Sequence, residues 1–344
     1  MKRYLAALAL VAVVVCAGYG AWSVIHVGTA PTGMPAQITV ALEPNQINSL
    51  IYIADERGYF AADGLTVTLK NYSTSAGAVD GMLAGEADVA TASEFVLAGA
   101  ALAQNSARTF ACIDKFNHVY ILGRNDRGIK NASDLKGKTI GLQRKTNSEF
   151  YLGRYLNLHG MEMRDVTIVD IKAPQQADAL ANGTVDAVVA WQPYATRIQN
   201  RLPDGLAVWP AESGQAAYCT AITTDTWLSG HPEPARRFLA ALARAETDIA
   251  QDPAAAQAIV EKRLHYDSAY VDAFWPEHRF GLSLDESLVA AMQDEARWKV
   301  ANNLTNVTAV PDFTKYISTT ALENVNPAAV RIIGSADSPG TERR

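Results

Sequence analysis

Five polar stretches in this chain each follow directly on an apolar run, and they carry most of its groups able to do chemistry. In order they are Glu43, Asn45, Gln46 and Asn48; Ser73, Thr74 and Ser75; Ser93 and Glu94; Arg144, Thr146, Asn147 and Ser148; and Trp191, Gln192 and Tyr194. Hydroxyls, amides and a cation grouped in this way suit the grip on a small polar molecule. Ser73, Thr74, Ser75, Thr146, Asn147 and Ser148 also suit the capping of helix N-termini, so capping competes with ligand contact there. Arg144 and its neighbour Lys145 read either as ligand contacts or as solvated surface. Trp191 reads either as core filler or as an aromatic platform. Glu43 and Glu94 are more telling, because a carboxylate directly after an apolar strand is an awkward core residue. Facing a cleft, the pair would repel a bare anion and favour a cationic or N–H-donating ligand.

Turnover has less support. The chain has no phosphate-cradling GxxxxGK, no GxSxG elbow, no HExxH, and no GxGxxG after a strand. Its six histidines are scattered, and no Cys/His spacing resembles a metal site, so neither a metal nor a cofactor is expected. Cys112 and Cys219 each lie in an apolar strand-like stretch. They read as a disulfide of an exported protein or as two buried thiols.

The elements that position these groups follow from periodicity. "ITVAL" is a strand, and "LIYIADERGYF" is a helix ended by Gly58, since glycine tolerates the left-handed cap. "GLTVTLKNY" alternates as a strand, "STSAGAVDGMLAG" is a loop and helix, "ADVATA" a strand, and "EFVLAGAALAQ" a helix. After the apolar pair "RTFACI" and "HVYILG", Ser133 is a plausible cap for one helical turn ending at Gly137. The pattern then repeats with "KTIGL", a helix stopped by Gly160, "VTIVDI", "QQADALANG" and "VDAVVAW". Pro193 suits a first helical position. Asp88 and Asp186 fall at matching corners of the two halves and read as groups securing strand starts. Strand–helix alternation predicts α/β architecture with mainly parallel sheets flanked by helices. In such sheets ligands lie beyond the strands' carboxyl ends, where helix N-termini present N–H groups. All five polar stretches fall at such ends.

Beyond "YCTAITTD" the chain turns mostly helical. Phe238, Leu239, Leu242, Ala245 and Ile249 form an apolar stripe, "PAAAQAIVEKRL" and "LDESLVAAMQDEARWKVA" follow as helices, and "DFTKYISTTALENV" reads as a fourth.

With 344 residues, 49% hydrophobic and 19% charged, the chain can bury a sizeable core in two units. A net charge of -6 with no basic stripe argues against a nucleic-acid partner. Lys2 and Arg3 precede an apolar run from Leu5 to Val27, the pattern of export. About 20 apolar residues suffice to span a bilayer, so this segment reads as an inner-membrane anchor. A cleaved signal is the alternative, although Gly28-Thr29-Ala30 would leave Pro31 after the cut. A lipid-modified Cys16 fits least, because Val15 is bulky. Each version puts the remainder in the periplasm. The tail from 334 to 344 is polar and reads as disordered.

The ordered set "ERGYFAADGLTVTLKNY", "MLAGEADVA", "GIKNASDLKGKTIGL" and "VDAVVAWQPY" resembles the nitrate/sulfonate/taurine-type solute-binding proteins of ABC importers. That group shares its fold with thiamine-pyrimidine synthases. The resemblance covers roughly Ile38 to Pro327 and implies a two-lobed type II periplasmic-binding-protein fold with two crossover strands as hinge. The crossovers fall near 119–124 and 217–222. Residues 1–30 are then signal or anchor, 31–37 linker, 38–122 plus 222–333 one lobe, and 123–221 the other. The resemblance also implies a monomer that captures a small solute by hinge closure and docks on an ABC permease with its ATPase subunit. A membrane-anchored sensing lobe is the rival binding role. A pyrimidine-synthase-like enzyme would need a Cys-rich cluster that this sequence lacks.

Overall fold

The computed structural model describes residues 34–212 and 214–332. The expected anchor at 1–30, the first residues of the linker and the tail at 334–344 lie outside the described residues. None of the described helices is long and apolar enough to cross a membrane.

The first half opens with β1 (Ala36–Leu42), α1 (Ser49–Glu56), α2 (Tyr59–Ala62) and β2 (Leu65–Asn71). It continues through α3 (Ser75–Leu83), β3 (Val89–Ser93), α4 (Glu94–Leu102) and β4 (Ala107–Phe116). The second half comprises β5 (Val119–Arg124), β6 (Thr139–Leu142), α5 (Asn147–Leu158), β7 (Thr167–Asp170), α6 (Gln176–Ala181), β8 (Ala187–Trp191), α7 (Tyr194–Arg201) and β9 (Leu206–Pro210). The chain then returns through β10 (Ala217–Thr224), α8 (Asp225–Gly230), α9 (Pro232–Gln251), α10 (Pro253–Leu264) and α11 (Ser268–Phe274). It ends with β11 (His278–Asp285), α12 (Glu286–Ala301), α13 (Thr320–Glu323) and β12 (Val330–Arg331).

Seven strands form one sheet in the order β12-β11-β4-β10-β3-β1-β2, and five form the other, β7-β6-β8-β5-β9. Within each, a parallel trio repeats: β1 lies between β2 and β3 as β6 lies between β7 and β8. β4, β5 and β10 pair antiparallel with their neighbours, so both sheets are mixed where mainly parallel ones were expected. The reversal comes with the passage between sheets, since these strands lead into or out of a crossover and not through a βαβ unit. β5 belongs wholly to the second sheet and β10 wholly to the first. The chain therefore changes sheet at 117–118 and 211–216, and not within the strands as the expected boundaries had it.

Asp88 and Asp186 do the same work in the two trios. Thr39 N–H donates to Asp88 Oδ2 at 2.7 Å while Asp88 N–H donates to Thr39 O at 2.9 Å. Thr139 N–H donates to Asp186 Oδ2 at 3.0 Å while Asp186 N–H donates to Thr139 O at 2.8 Å. Gly85 (φ 78°) and Gly183 (φ 80°) turn the chain into these corners through a left-handed conformation that only glycine adopts freely. Asp88 also accepts the Trp227 indole N–H at 3.1 Å, tying α8 to the corner. Asp88→Ala is expected to cost about 2 kcal/mol, the usual worth of hydrogen bonds to a charged group, and more than Asp186→Ala. Urea midpoints that fall equally for both variants would remove the Trp227 bond from the account.

Several local expectations are corrected. Asn131, and not Ser133, caps the turn at Ala132–Leu135, in a reciprocal box with Asp134. Pro193 precedes α7 as its cap, and the Gln192–Pro193 peptide is cis. The stretch read as a fourth helix is a 3-10 turn (Phe313–Tyr316) and the one-turn α13. β9, α11, β11 and β12 were not anticipated. β11 is held by antiparallel pairing with β4, a partner more than 160 residues away, so nothing local to its sequence announces it. Cys112 and Cys219 are buried free thiols.

Candidate functional site

The strand tips of the two sheets face one another across a cavity of about 190 Å³. The first half contributes Glu43, Asn45, Thr74, Ser75 and Ser93, with Ile47, Ala76 and Val96 as apolar wall. The second contributes Gln143, Arg144, Lys145, Thr146, Asn147 and Trp191, and Phe116 and His118 form the floor at the first crossover.

Glu43 follows β1 and reaches the start of α3. Its Oε2 accepts the Ser75 N–H at 3.1 Å and the Ser75 hydroxyl at 2.9 Å. Burial pushes its carboxyl above the usual range, opposed by the Ser75 bonds. The carboxyl therefore already fills the N–H position that a helix start would offer an anion. Thr74 lines the cavity and also caps α3, accepting the Gly77 N–H. Asn45 is held by Asn48, whose amide donates to Asn45 Oδ1 and to the Glu43 carbonyl.

The opposite wall is cationic. Arg144 and Lys145 occupy the turn between β6 and α5, and both are exposed. Arg144 Nη1 meets Glu149 Oε1 at 3.2 Å, and the Lys145 N–H donates to Glu149 Oε2 at 3.0 Å. Lys145 has φ 63°, a conformation uncommon outside glycine and concentrated at functional sites. Thr146 is the N-cap residue of α5 and Asn147 its first residue, the helix end whose dipole favours an anion. The Thr146 hydroxyl donates back to the Gln143 carbonyl and does not cap the helix. Trp191 sits at the tip of β8, edge-on to Tyr194 at 5.8 Å.

His118 rests on the Phe116 ring at 4.1 Å, and its Nδ1 is buried without a partner. Burial, and secondarily His278, hold its imidazole well below the ordinary range, so it is neutral. Beneath it His278 Nδ1 meets Asp114 Oδ2 at 2.6 Å.

The cavity thus brings together Glu43, Asn45, Thr74, Ser75, Ser93, Arg144, Thr146, Asn147 and Trp191. It does not include Gln46, Asn48, Ser73, Glu94, Ser148, Gln192 or Tyr194. Glu94 is fully buried behind the cleft, its Oε2 accepting the Tyr218 N–H at 2.9 Å. Gln46 turns inward to the Tyr266 hydroxyl, and Ser73 is exposed outside the cavity. Ser148 is buried in the body of the second half. Gln192 Oε1 accepts the Thr196 N–H and hydroxyl at the head of α7. Tyr194 lies just beyond Trp191, near enough for Glu43 to add to burial in raising its hydroxyl. The residues missed were apolar wall positions, Gln143 just after β6, and the crossover pair Phe116 and His118. A lone histidine such as His118 has no spacing signal to find it by.

Over residues 45–256 the chain matches a protein-family model described as NMT1/THI5 like. A Brucella abortus (strain 2308) protein named as a binding protein is 25% identical over 258 residues, 72% of this chain and 76% of its own. The alkanesulfonate-binding protein SsuA from Xanthomonas axonopodis pv. citri bound to MOPS superposes with a TM-score of 0.71 at 17% identity. The match covers 84% of this chain and 100% of that one. The desulfurization enzyme DSZB superposes at 0.63 with 18% identity, covering 85% and 99%. At these identities the superpositions establish the fold, a two-sheet α/β architecture of the periplasmic-binding-protein kind.

Proposed function

This chain belongs to the NMT1/THI5-like family, and on that premise we propose that it is the extracytoplasmic solute-binding subunit of an ABC-type importer. One observation carries the reading: equivalent strand tips of two similar halves line a single cavity. A ligand touching both walls favours the closed arrangement over the open one, which is capture by hinge closure. The closed form then docks on a permease whose ATPase subunit supplies the energy, and the N-terminal segment holds the protein at the periplasmic face of the inner membrane.

The walls describe the ligand. Glu43 opposes a bare oxyanion on one side, while Arg144, Lys145 and the start of α5 favour an acidic group on the other. Trp191, Phe116 and Val96 accommodate an apolar body between them. The solute is therefore compact and bipolar, with a cationic or N–H-donating end and an acidic end, as an amino-sulfonate or a nitrogen heterocycle bearing an acid. MOPS, the molecule bound to SsuA, has that character.

An enzyme reading is prompted by DSZB, but the described thiols do not suit it. Cys112 is buried and its thiol is pushed up to about 12 by burial, and Cys219 is buried likewise.

A thermal-shift screen over nitrate, alkanesulfonates, taurine, MOPS and pyrimidines tests the proposal, since binding at a hundred times Kd stabilises by about 2.7 kcal/mol. Bipolar compounds are expected to raise the melting temperature, and Glu43→Gln to weaken them about tenfold or more while sparing simple anions. Equal binding of amines and anions before and after the substitution would defeat the ligand assignment.

A further inference from the structure

Behind the floor of the cleft, polar groups meet that ligand binding does not use. Glu94 from α4, Glu295 and Lys299 from α12 and Tyr151 from α5 converge there, and the two carboxyls are fully buried. Glu94 lies within hydrogen-bonding reach of Glu295 and of the Tyr151 hydroxyl, and Glu94 Oε1, both oxygens of Glu295 and that hydroxyl find no partner outside this group.

The place is a seam between halves. Phe150 of α5 lies 6.2 Å from Phe95 of α4 and 5.7 Å, edge-on, from Trp298 of α12. A Cβ on Gly153 would come within 2.6 Å of the Trp298 indole nitrogen, so α5 fits against α12 with no slack. Any opening of the halves along this line admits water to both carboxyls.

The charges facing the pair can be counted. Lys299 is the neighbouring cation, its ammonium 3.2 Å from the centre of the Phe95 ring. Glu149 of α5 is already met by Arg144 and the Lys145 N–H. Asp294 is paired at the surface with Arg297. On β10, Tyr218 offers its N–H to Glu94, and Cys219 is a neutral thiol. Glu212, beyond Tyr151, is engaged with the Val119 N–H. One cation therefore serves two carboxyls, and a second charge so buried must be neutralised.

We propose that Glu94 and Glu295 form a proton-binding site in the seam, whose single proton is needed for the two halves to close. Opening wets the pair and releases the proton, and closing takes it back. Burial raises both carboxyls above the ordinary 4.5 in the closed form. The group whose closed-state pKa is raised favours closure at low pH, and that advantage is lost as pH climbs from 4.5 toward the raised value. This holds whether or not the transport reading is correct.

Hydrogen exchange of the full chain, read on peptides covering α5 and α12 and referred to the chemical rate at each pH, tests the site. One linked proton makes opening rise about tenfold per pH unit between about pH 5 and about pH 7, so protection falls by that factor. Glu94→Gln and Glu295→Gln each leave one carboxylate for Lys299, and protection in either should no longer depend on pH. A flat profile in the wild type, or the wild-type slope in both variants, overturns the proposal. A β1 peptide no better protected than α5 and α12 at any pH reports global unfolding and overturns it too. If one variant fails to fold, the other decides.

Discussion

Phe238→Ala is expected to lose about 3–5 kcal/mol of stability, the range for deleting a buried aromatic ring. Phe238 lies on α9 and is fully buried, stacked on Phe60 at 5.5 Å with planes 6° apart and tilted against Phe110 at 6.2 Å. Those two rings come from α2 and β4, so one side chain from the returning segment closes a core built from residues far earlier in the chain. The first half is discontinuous in sequence, and α9 is among the elements that complete it. Urea unfolding should show a lower midpoint at unchanged slope, since the surface exposed on unfolding hardly changes. A loss below about 1 kcal/mol would mean that α9 is peripheral, a place for ordinary surface substitutions.

That packing was legible in advance because it is periodic. Phe238, Leu239, Leu242, Ala245 and Ile249 were read as one apolar stripe; the first four are buried and Ile249 is half-buried. Strand–helix alternation gave the two repeated trios, and the aspartates at their corners proved to be strand clamps. Each polar break put at least one residue on the cavity, while neighbours in the same breaks, such as Ser73 and Ser148, point elsewhere. What escaped depended on partners remote in sequence. β11 is a strand because β4 is beside it, and the sheet change at 117–118 is set by which sheet accepts β5. Glu94 was read as facing the cleft from its position after a strand. Its side chain instead turns to α12, whose Glu295 and Lys299 are two hundred residues away. Local pattern tells which residues start a helix, and tertiary packing decides which way the first turn points.

The second large effect concerns the hinge itself. Glu212 lies in the return crossover, and its Oε1 accepts at 2.6 Å the N–H of Val119, the first residue of β5 immediately after the outgoing one. The two passages between halves are thus pinned by one carboxyl, 1% exposed, whose Oε2 has no partner. Burial pushes it up to about 7 from an ordinary 4.5, with Glu277 adding to the rise and the N–H bonds opposing it. In the unfolded chain Glu212 ionises near 4.5, while in the folded chain it keeps its proton until about 7. Between those values the native state holds the extra proton, so stability falls as pH rises. Over that interval the loss from Glu212 amounts to roughly 3 kcal/mol, and it levels off above the folded value. Glu212→Gln can keep the Val119 bond through its amide oxygen but has no proton to lose. Its stability relative to wild type should therefore improve by roughly 3 kcal/mol between about pH 4.5 and about pH 7.5. The raised carboxyls of Glu94, Glu295 and Asp114 tilt both curves equally and cancel in that difference. Parallel urea-derived curves for the two proteins would show that Glu212 ionises freely when folded, and the crossovers would then be joined by an ordinary solvated carboxylate.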